Sequence, residues 1–533
     1  MSVSYNGYDA QTINYPNFRP RYESNIVALN AGYNLQLGKY FSLGFGAHIS
    51  NRKKSYSLPE IPNENLVSYI QNPRNNIHID PKYKWIQLHL GAHMPQYSNL
   101  TSGDIQIFGA GVELTPGRFI LSANYGKTQT AIEPDSIFNI QGMYQRKLLA
   151  GRIGFGHVEG SKFTINVVKI KDDPFSVINQ PIGLKPVDAL TVSPLIQFKL
   201  GKKITIKTET AGSVYTQNTL ADTIEIPIPE VATLSQFVSL NATSRMDYAH
   251  QSTIDYKGKN FKIGGEVKLI GPGFSPAGYF AMEQDLLDYK INTAFNLLKN
   301  KIQLNGSFGI RTNNISQTNI LPTQKLIGAG AANIKFSKKF SVRANYSNFG
   351  MTNNDNNLYQ RVEFVQQSIS LAPSYRFQSD AIKHRISLNW RMGSYKQYDI
   401  QILDYADRTS TNYSANYRMK FKNKPLTIRY SGLYLTNNSP TINFKLWNVG
   451  MQIGYKLFNK KLNPKLSINY SKISRGIYTP DSRIRTKLNL KYKMGKKRDL
   501  KFGYSLNVNQ YGSYRPNAKL TEHKFQATIS QKF

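Results

Sequence analysis

Period-two alternation of apolar and polar residues, in segments of about ten residues, is the feature that most constrains the fold of this chain. Between Trp447 and Leu457 every odd-numbered residue is apolar or aromatic, whereas the even-numbered residues are Asn, Gly, Gln or Lys. Between Ile484 and Met494 the polar face consists of Lys and Arg with a single Asn. Successive side chains of a β-strand point to opposite faces, so each segment is predicted to be a strand with one apolar and one polar face.

Short turns rich in Gly, Asn, Asp and Lys follow one another at a spacing of about 40 residues. Gly, Asn and Asp tolerate the positive φ angles that tight hairpins require. The twelve turns are centred on residues 39, 81, 116, 160, 202, 259, 300, 338, 379, 423, 460 and 496. They define 24 strands, and a first strand near Ser2–Tyr8 and a last one near Glu522–Phe533 bring the expected number to about 26.

Longer connections rich in Asn, Ser, Thr and Pro join the strands at their other ends. They lie near 51–74, 129–142, 172–188, 217–247, 271–287, 350–362, 394–409 and 510–519. Short turns at one end and long loops at the other are typical of outer-membrane β-barrels, and an even strand number places both termini at the short-turn end. We therefore predict an all-β fold: a large antiparallel transmembrane β-barrel of about 26 strands, with short periplasmic turns and long extracellular loops.

A β-propeller with blades of about 40 residues is the alternative architecture at this spacing. Twelve blades would exceed the usual four to eight, and each unit here contains two long strands rather than four short ones. No stretch of 18 apolar residues occurs, which excludes a helical membrane span. The barrel is expected to occupy residues 1–533 as a single domain in the outer membrane of a Gram-negative bacterium, with both termini periplasmic.

The start of the sequence suggests a processed chain. Met1 is followed directly by the strand-like segment Ser2–Tyr8, without a signal peptide, so we expect that a natural N-terminal region has been trimmed. The absence of Cys fits an exported protein, although many cytosolic proteins share it.

The end of the sequence carries a second pattern. Phe533 closes an alternating strand in which Phe525, Ala527 and Ile529 share its face. This arrangement resembles the terminal β-signal that the barrel-assembly machinery recognises. Gln531 departs from that signal, because an aromatic or apolar side chain is usual at its position.

Several short motifs occur along the chain. They are Pro81-Lys82-Tyr83-Lys84-Trp85, Leu88-His89-Leu90-Gly91, Phe108-Gly109-Ala110-Gly111-Val112-Glu113-Leu114, Pro116-Gly117-Arg118-Phe119, Ala123-Asn124-Tyr125-Gly126 and Gly271-Pro272-Gly273-Phe274. Together they resemble a run found in uncharacterised outer-membrane β-barrel proteins of the Bacteroidetes type. The resemblance implies the fold and the location but no particular activity. Such proteins often carry extracytoplasmic domains before the barrel, which agrees with a trimmed start.

Basic residues dominate the polar faces. The chain has 68 Lys and Arg against 32 Asp and Glu, a formal net charge of +36. Alternation places these basic residues in the lumen: Arg483, Arg485, Lys487, Lys491, Lys493, Lys199, Lys207, Arg418 and Lys420. Together they predict a lumen that attracts anions or an acidic partner, although any one of them could be ordinary polar lining. Nucleic-acid binding is not expected, because the charge is spread and no recognition motif occurs.

Metal binding and catalysis have little support in the sequence. His48, His89 and His93 all fall on lumenal faces, but a metal site would need them closer together, with a third ligand such as Asp104. Ordinary polar lining is the favoured interpretation, and no cofactor is expected. No Gly-x-Ser-x-Gly motif and no carboxylate pair on one lumenal face occur, so the chain is not expected to be an enzyme.

The width of such a barrel predicts that its lumen is blocked at rest. About 26 strands spaced 4.8 Å apart and tilted by about 40° give a cylinder roughly 50 Å across, which side chains cannot fill. The loops 217–247 and 271–287 are apolar enough to fold into or over the lumen. Their candidate plug or cap residues are Ile226, Val231, Leu234, Phe237, Val238, Phe274, Tyr279 and Phe280.

Two functions remain open at this point. The leading hypothesis is a barrel for transport or translocation across the outer membrane, with a lumen closed at rest by loops or a partner. The alternative is a structural or binding barrel that anchors an adhesive, secretion or assembly partner without conducting. The expected partners are outer-membrane lipid and lipopolysaccharide, the barrel-assembly machinery, and an outer-membrane or periplasmic protein.

Overall fold

The structure, a computed structural model, describes residues 1–16, 18–22, 24–51, 66–71, 75–135, 141–180, 183–223, 233–278, 282–318, 322–353, 361–399, 404–440 and 443–532. In these ranges 26 antiparallel strands form one closed sheet, in which consecutive strands pair and the last strand pairs with the first. The predicted fold, a large antiparallel transmembrane barrel rather than a propeller, is confirmed.

The strands are β1 Ser2–Ile13, β2 Asn25–Leu37, β3 Phe41–Ser50, β4 His78–Tyr83, β5 Ile86–His93, β6 Ile107–Leu114, β7 Phe119–Gln129, β8 Gln145–Gly156, β9 Lys162–Asp173, β10 Asp188–Leu200, β11 Ile204–Thr216, β12 Ser244–Lys257, β13 Phe261–Ile270, β14 Leu286–Leu297, β15 Ile302–Asn313, β16 Thr323–Lys335, β17 Phe340–Thr352, β18 Glu363–Gln378, β19 Ile382–Asp399, β20 Arg408–Phe421, β21 Leu426–Asn438, β22 Phe444–Tyr455, β23 Leu462–Arg475, β24 Tyr478–Lys493, β25 Arg498–Gln510 and β26 Lys519–Gln531. A two-residue strand, Asp404–Tyr405, pairs only with the end of β19. A short helix, α1 (Leu66–Gln71), and a 3-10 turn, Thr233–Gln236, lie in loops. No helix in the described ranges is long and apolar enough to cross a membrane.

The barrel closes without a free sheet edge. β1 pairs with β26 over twelve residues, from Ser2 opposite Ser530 to Ile13 opposite Lys519. On its other side β1 pairs with β2. Closure gives the backbone groups of both terminal strands a hydrogen-bonding partner, which hydrocarbon surroundings require.

The two faces of the wall differ as the alternation predicts. On β8, Leu149, Ile153 and Phe155 are 54%, 60% and 51% exposed, whereas the opposite face of the strand carries Arg146 and Arg152. A continuous face of exposed apolar side chains is stable only against lipid, so this face is the outer wall. Directly opposed residues of paired strands share a face, and the strand registers therefore extend the assignment around the barrel.

Eleven of the twelve predicted short turns lie where the sequence places them, and the second is displaced. The predicted turn at Asp80-Pro81-Lys82 is wrong, because these residues belong to β4 and the chain reverses at Lys84 and Trp85. Pro81 cannot donate to the ladder, and the β4–β5 pairing is interrupted beside it. Lys84 has a φ of 50° and provides the turn.

The long loops lie at the opposite end, and 14–24, 94–106 and 314–322 are loops that were not predicted from the sequence. The segment 94–106 joins β5 and β6, which are only eight residues long each. At the C-terminus, Phe525 and Ile529 are 41% and 47% exposed on the outer face of β26, where Ala527 joins them. Phe533, the last residue of the predicted assembly signal, lies outside the described residues.

Candidate functional site

Two loops fold back into the barrel and pack against its inner wall. They are 94–106, between β5 and β6, and 271–285, between β13 and β14. Leu100 of the first loop and Phe274 of the second are fully buried in one cluster, together with inner-face residues of β11 and β12 such as Ala211. Both loops therefore reach into the lumen, through Leu100 and Phe274.

The two loops contact each other as well as the wall. The backbone N–H of Ala277 donates to Thr191 Oγ1 at 2.9 Å, and that of Gly278 donates to the carbonyl of Thr101 at 3.0 Å. A Cβ on Gly278 would lie 2.3 Å from the carbonyl oxygen of Ser102. Only glycine permits so close an approach of two backbones, so this position joins the loops into one unit.

Glu283 anchors the second loop to the wall of β15 and β16. Its carboxylate forms ion pairs with Arg311 at 2.6 Å and Lys325 at 2.5 Å. Partial burial raises the pKa of Glu283, but the hydrogen bonds from Lys325 and Asn313, together with the charges of Lys325 and Arg311, outweigh burial and hold the pKa below its usual value. The charged form of Glu283 is therefore the one that stabilises the loop.

We expect this anchor to make stability depend on pH in the acidic range. Because the folded-state pKa is lowered, the contribution of Glu283 is fully present above the ordinary pKa of about 4.3 and is lost as pH falls through the lowered value. Glu283→Gln should lower the Tm of the purified barrel at neutral pH, and its difference from wild type should shrink below about pH 4. Glu159→Gln, in a short turn, is the control. A Tm difference for Glu283→Gln that does not change with pH would contradict the assignment.

The first loop is fixed to the wall through Tyr97. The Tyr97 hydroxyl accepts a hydrogen bond from Asn124 Nδ2 at 2.8 Å. The Arg152 guanidinium lies 4.8 Å from the centre of the Tyr97 ring and donates to the Tyr97 carbonyl at 2.9 Å. Burial raises the pKa of the Tyr97 phenol, so the ring stays neutral beside the cation. Asn124 and Arg152 are inner-face residues of β7 and β8, and they tie the loop to both strands.

A polar cluster lies beside this loop on the inner face of β4 to β7. His89 Nδ1 is 2.8 Å from an Asp80 oxygen, and His89 Nε2 is 3.8 Å from Glu113. His93 Nε2 is 2.9 Å from Asn124 Oδ1, and the rings of His89 and His93 stack with centroids 5.2 Å apart. The wall itself thus supplies hydrogen-bonding partners for both rings.

The third histidine considered as a metal ligand has a different neighbour. His48 Nδ1 is 2.5 Å from Asn30 Oδ1, on β2. Within the described ranges no three His, Cys, Asp or Glu side chains are grouped so that they could hold a metal ion. The structure brings His89 and His93 together, and it gives each a wall residue as its partner.

In the loop 217–247, described over 217–223 and 233–247, the candidate plug residue Val238 lies outside the lumen. Val238 packs against Val214 of β11. Val214 stands opposite Met246, which is 50% exposed on the outer face. Val238 and Leu240 of this loop are therefore buried on the outside of the wall at the long-loop end, and not in the lumen. Leu234, Phe237 and Val238 belong to this outer segment, Phe274 lies in the lumen, and Ile226, Val231, Tyr279 and Phe280 lie outside the described residues.

The predicted lumenal basic residues lie on the inner face, in three groups. One group follows β24 and comprises Arg483, Arg485, Lys487, Lys491 and Lys493. Lys199 and Lys207 lie on β10 and β11, and Arg418 and Lys420 lie on β20. Of the first group, Lys491 forms an ion pair with Asp499 at 3.0 Å.

Four arginines form a row across adjacent strands of the inner face, near the short-turn end. Arg376 of β18 is directly opposed by Arg385, Arg385 by Arg418 of β20, and Arg418 by Arg429 of β21. Strands lie about 4.8 Å apart, so the row spans roughly 14 Å. Like charges directly opposite one another destabilise a sheet. In the described ranges the arginines that form ion pairs are others, namely Arg146, Arg311, Arg361 and Arg475.

The acidic residues of the inner wall are concentrated in a different sector. Asp80, Glu113, Asp172, Glu209 and Asp288 lie on strands between β4 and β14. There they form ion pairs or hydrogen bonds with wall and loop residues, as in the bidentate pair of Arg146 with Asp172 at 2.6 and 2.9 Å. Among the described residues, positive charge is thus compensated between β4 and β16 but not along the arginine row, so the row is a positive sector of the inner face.

Three features were not predicted from the sequence: the inward loop 94–106 with Tyr97, its partner Arg152, and the arginine row. Nothing in the sequence connects Arg152 with Tyr97. One feature indicates the loop 94–106: β5 and β6 are shorter than β7 and β8, so more residues are left to form the connection between them. The row depends on the register of four strands, for which a single sequence has no signal.

Neither a protein-family model nor a curated protein matches this sequence. Solved barrels have a similar architecture. The translocation pore of the P pilus usher PapC is 10% identical, with 100% of both chains covered and a TM-score of 0.40. Acinetobacter baumannii OccAB4 is 13% identical over 70% of this chain and 98% of its own, and Pseudomonas aeruginosa OccK8 (OprE) is 9% identical over 72% and 97%, both with a TM-score of 0.31. At such identities and scores, none of these barrels indicates what this chain binds or transports.

Proposed function

We propose that this chain is an outer-membrane β-barrel that transports or translocates hydrophilic solutes and favours anions. The arginine row Arg376, Arg385, Arg418 and Arg429 carries the proposal, because four opposed cations, which form no ion pair with a carboxylate of the described residues, attract anions into the lumen. A closed wall of 26 strands supports it, since such a wall encloses more space than side chains fill. No catalytic step is part of the proposal.

The lumen is closed at rest in this proposal. The inward loops 94–106 and 271–285 narrow the sector from β5 to β14, and the remaining sector is closed by a partner or by further segments of the chain. An opening roughly 50 Å wide would let periplasmic proteins escape, so closure is a physical requirement for a barrel of this size. Resemblance to Bacteroidetes-type barrels stays a prediction from the motifs.

Conductance separates transport from the alternative function. The purified barrel is inserted into a planar lipid bilayer, and current is recorded under an applied voltage. Discrete ion-conducting steps, small at rest and larger after loop removal, support a transport barrel. Absence of conductance in a correctly folded barrel, even after removal of the inward loops, would favour a structural or binding barrel that anchors a partner.

We expect the open lumen to be weakly anion-selective. In a salt gradient the reversal potential should indicate greater permeability to chloride than to potassium. Arg385→Gln combined with Arg418→Gln should reduce that preference, because it removes two neighbouring charges from the row. The matched control is Lys147→Gln with Lys445→Gln, which removes two charges from the outer face of β8 and β22. Cation preference in the wild type, or equal effects of the two double variants, would contradict the prediction.

A further inference from the structure

A pocket of about 530 Å³ opens on the inner face of β24, β25, β26 and β1. The loop 14–24, between β1 and β2, contributes Arg21 and Tyr22 to its lining. The Tyr22 ring packs edge-on against Tyr8 of β1, with centroids 5.3 Å apart, and Lys524 Nζ lies 3.7 Å from the centre of the Tyr22 ring. The pocket is therefore built from the wall and from a third inward loop, outside the sector that the other two loops occupy.

The charge of the pocket is positive. Its lining includes one carboxylate, Glu522, which is 2% exposed. The Glu522 oxygens accept hydrogen bonds from the Tyr8 hydroxyl at 2.9 Å and from Asn507 Nδ2 at 2.7 Å, so neutral donors already occupy them. The same lining contains four cationic side chains, which outnumber the single carboxylate: Arg21, Arg485, Lys487 and Lys524. Such a set favours an anionic ligand.

The pocket also carries neutral polar groups. Amide and hydroxyl groups that can both donate and accept hydrogen bonds line it, namely Asn6, Asn489, Ser505 and Gln526. Such groups can form hydrogen bonds with the hydroxyl groups of a ligand.

We propose that this pocket binds an anionic sugar, that is, a solute that joins a carboxylate or phosphate to a hydroxylated ring. The cations recognise the oxyanion, and the amides recognise the hydroxyl groups. Tyr22, which is 48% exposed, presents an aromatic surface to the apolar side of the ring. The inference rests on the proposed function, since it narrows the transported solutes to one class.

Binding is tested by isothermal titration calorimetry on the whole barrel in detergent at physiological salt. The probes are glucuronate and glucose 6-phosphate, which distinguish the carboxylate from the phosphate, with glucose, acetate and inorganic phosphate as separate halves of the ligand. At least one of the two anionic sugars is expected to bind roughly tenfold more tightly than glucose, acetate or inorganic phosphate. Calorimetry in detergent does not require the barrel to conduct. A barrel that does not bind anionic sugars can therefore be distinguished from a barrel that does not transport.

Variants decide whether the binding occurs in this pocket. Arg485→Gln and Tyr22→Ala should each weaken binding of the sugar acid roughly tenfold, and Lys524→Gln replaces the first if that variant does not fold. Lys199→Gln removes the same charge from the inner face of β10 and should leave binding unchanged. Three results would each overturn the proposal. They are absence of binding by both anionic sugars, binding of acetate or phosphate as tight as that of the anionic sugars, and equal effects of Arg485→Gln and Lys199→Gln.

Discussion

The substitution Ile468→Arg is expected to lower the free energy of unfolding by about 2–4 kcal/mol. Ile468 is 45% exposed and lies on the outer face near the middle of β23, opposite Met451 and Thr486. A guanidinium there would have to leave water for hydrocarbon, or the bilayer would have to deform around it. The measurement is denaturant unfolding of the barrel in lipid vesicles, with Ile468→Arg compared to wild type.

The control introduces the same side chain one residue earlier. Ser467 lies on the inner face, opposite Gln452 and Lys487. Ser467→Arg would place its charge in lumenal water, where repulsion by Lys487 costs at most about 1 kcal/mol. If Ser467→Arg and Ile468→Arg destabilised the barrel equally, the assignment of faces on β23 would be wrong.

The wall was predictable because hydrocarbon imposes one rule on every strand. Outward positions within the hydrocarbon favour apolar side chains, so the alternation of the segment Trp447–Leu457 predicts a strand with one lipid-facing side. The number of strands followed from the turns, and it survived the one error among them. Pro81 moved the turn a few residues along its hairpin without adding or removing a strand.

The paths of the loops were not predictable in the same way. Apolar content shows that a loop needs burial, but the sequence does not show on which side of the wall. Val238 is buried on the outside of the wall, against Val214, whereas Phe274 is buried on the lumen side. The loop 94–106 is mostly polar, so its composition does not predict burial, although Leu100 is fully buried in the structure. Contacts between distant segments decide these paths.

The positive sector was predictable residue by residue but not as an arrangement. Alternation placed Arg418 on the polar face of its strand, and the same holds for Arg429. Whether their side chains stand side by side depends on strand register, and a shift by two residues would keep the face while separating the charges. The row of four arginines is therefore a property of paired strands, which the structure adds to the sequence.

The largest functional effect is expected from removal of the inward loop 94–106. Its ends, His93 and Ile107, are directly opposed in the β5–β6 ladder, so a Gly-Ser turn of about two to four residues can connect them without strain. Replacement of residues 95–105 by such a turn removes Leu100 and Tyr97. The second loop then loses its packing partner for Phe274 and the contact at Gly278.

This variant should show larger conductance steps in planar bilayers and faster uptake of a large antibiotic such as vancomycin than the wild-type barrel, since both loops would be displaced from the sector between β5 and β14. Gly278→Val, which forces the two backbones apart, should have a smaller effect in the same direction. The matched control replaces residues 233–240, which lie on the outer face and should leave permeability unchanged. Wild-type permeability in a folded variant that lacks 95–105 would mean that these loops do not close the lumen, and that a partner or another segment does.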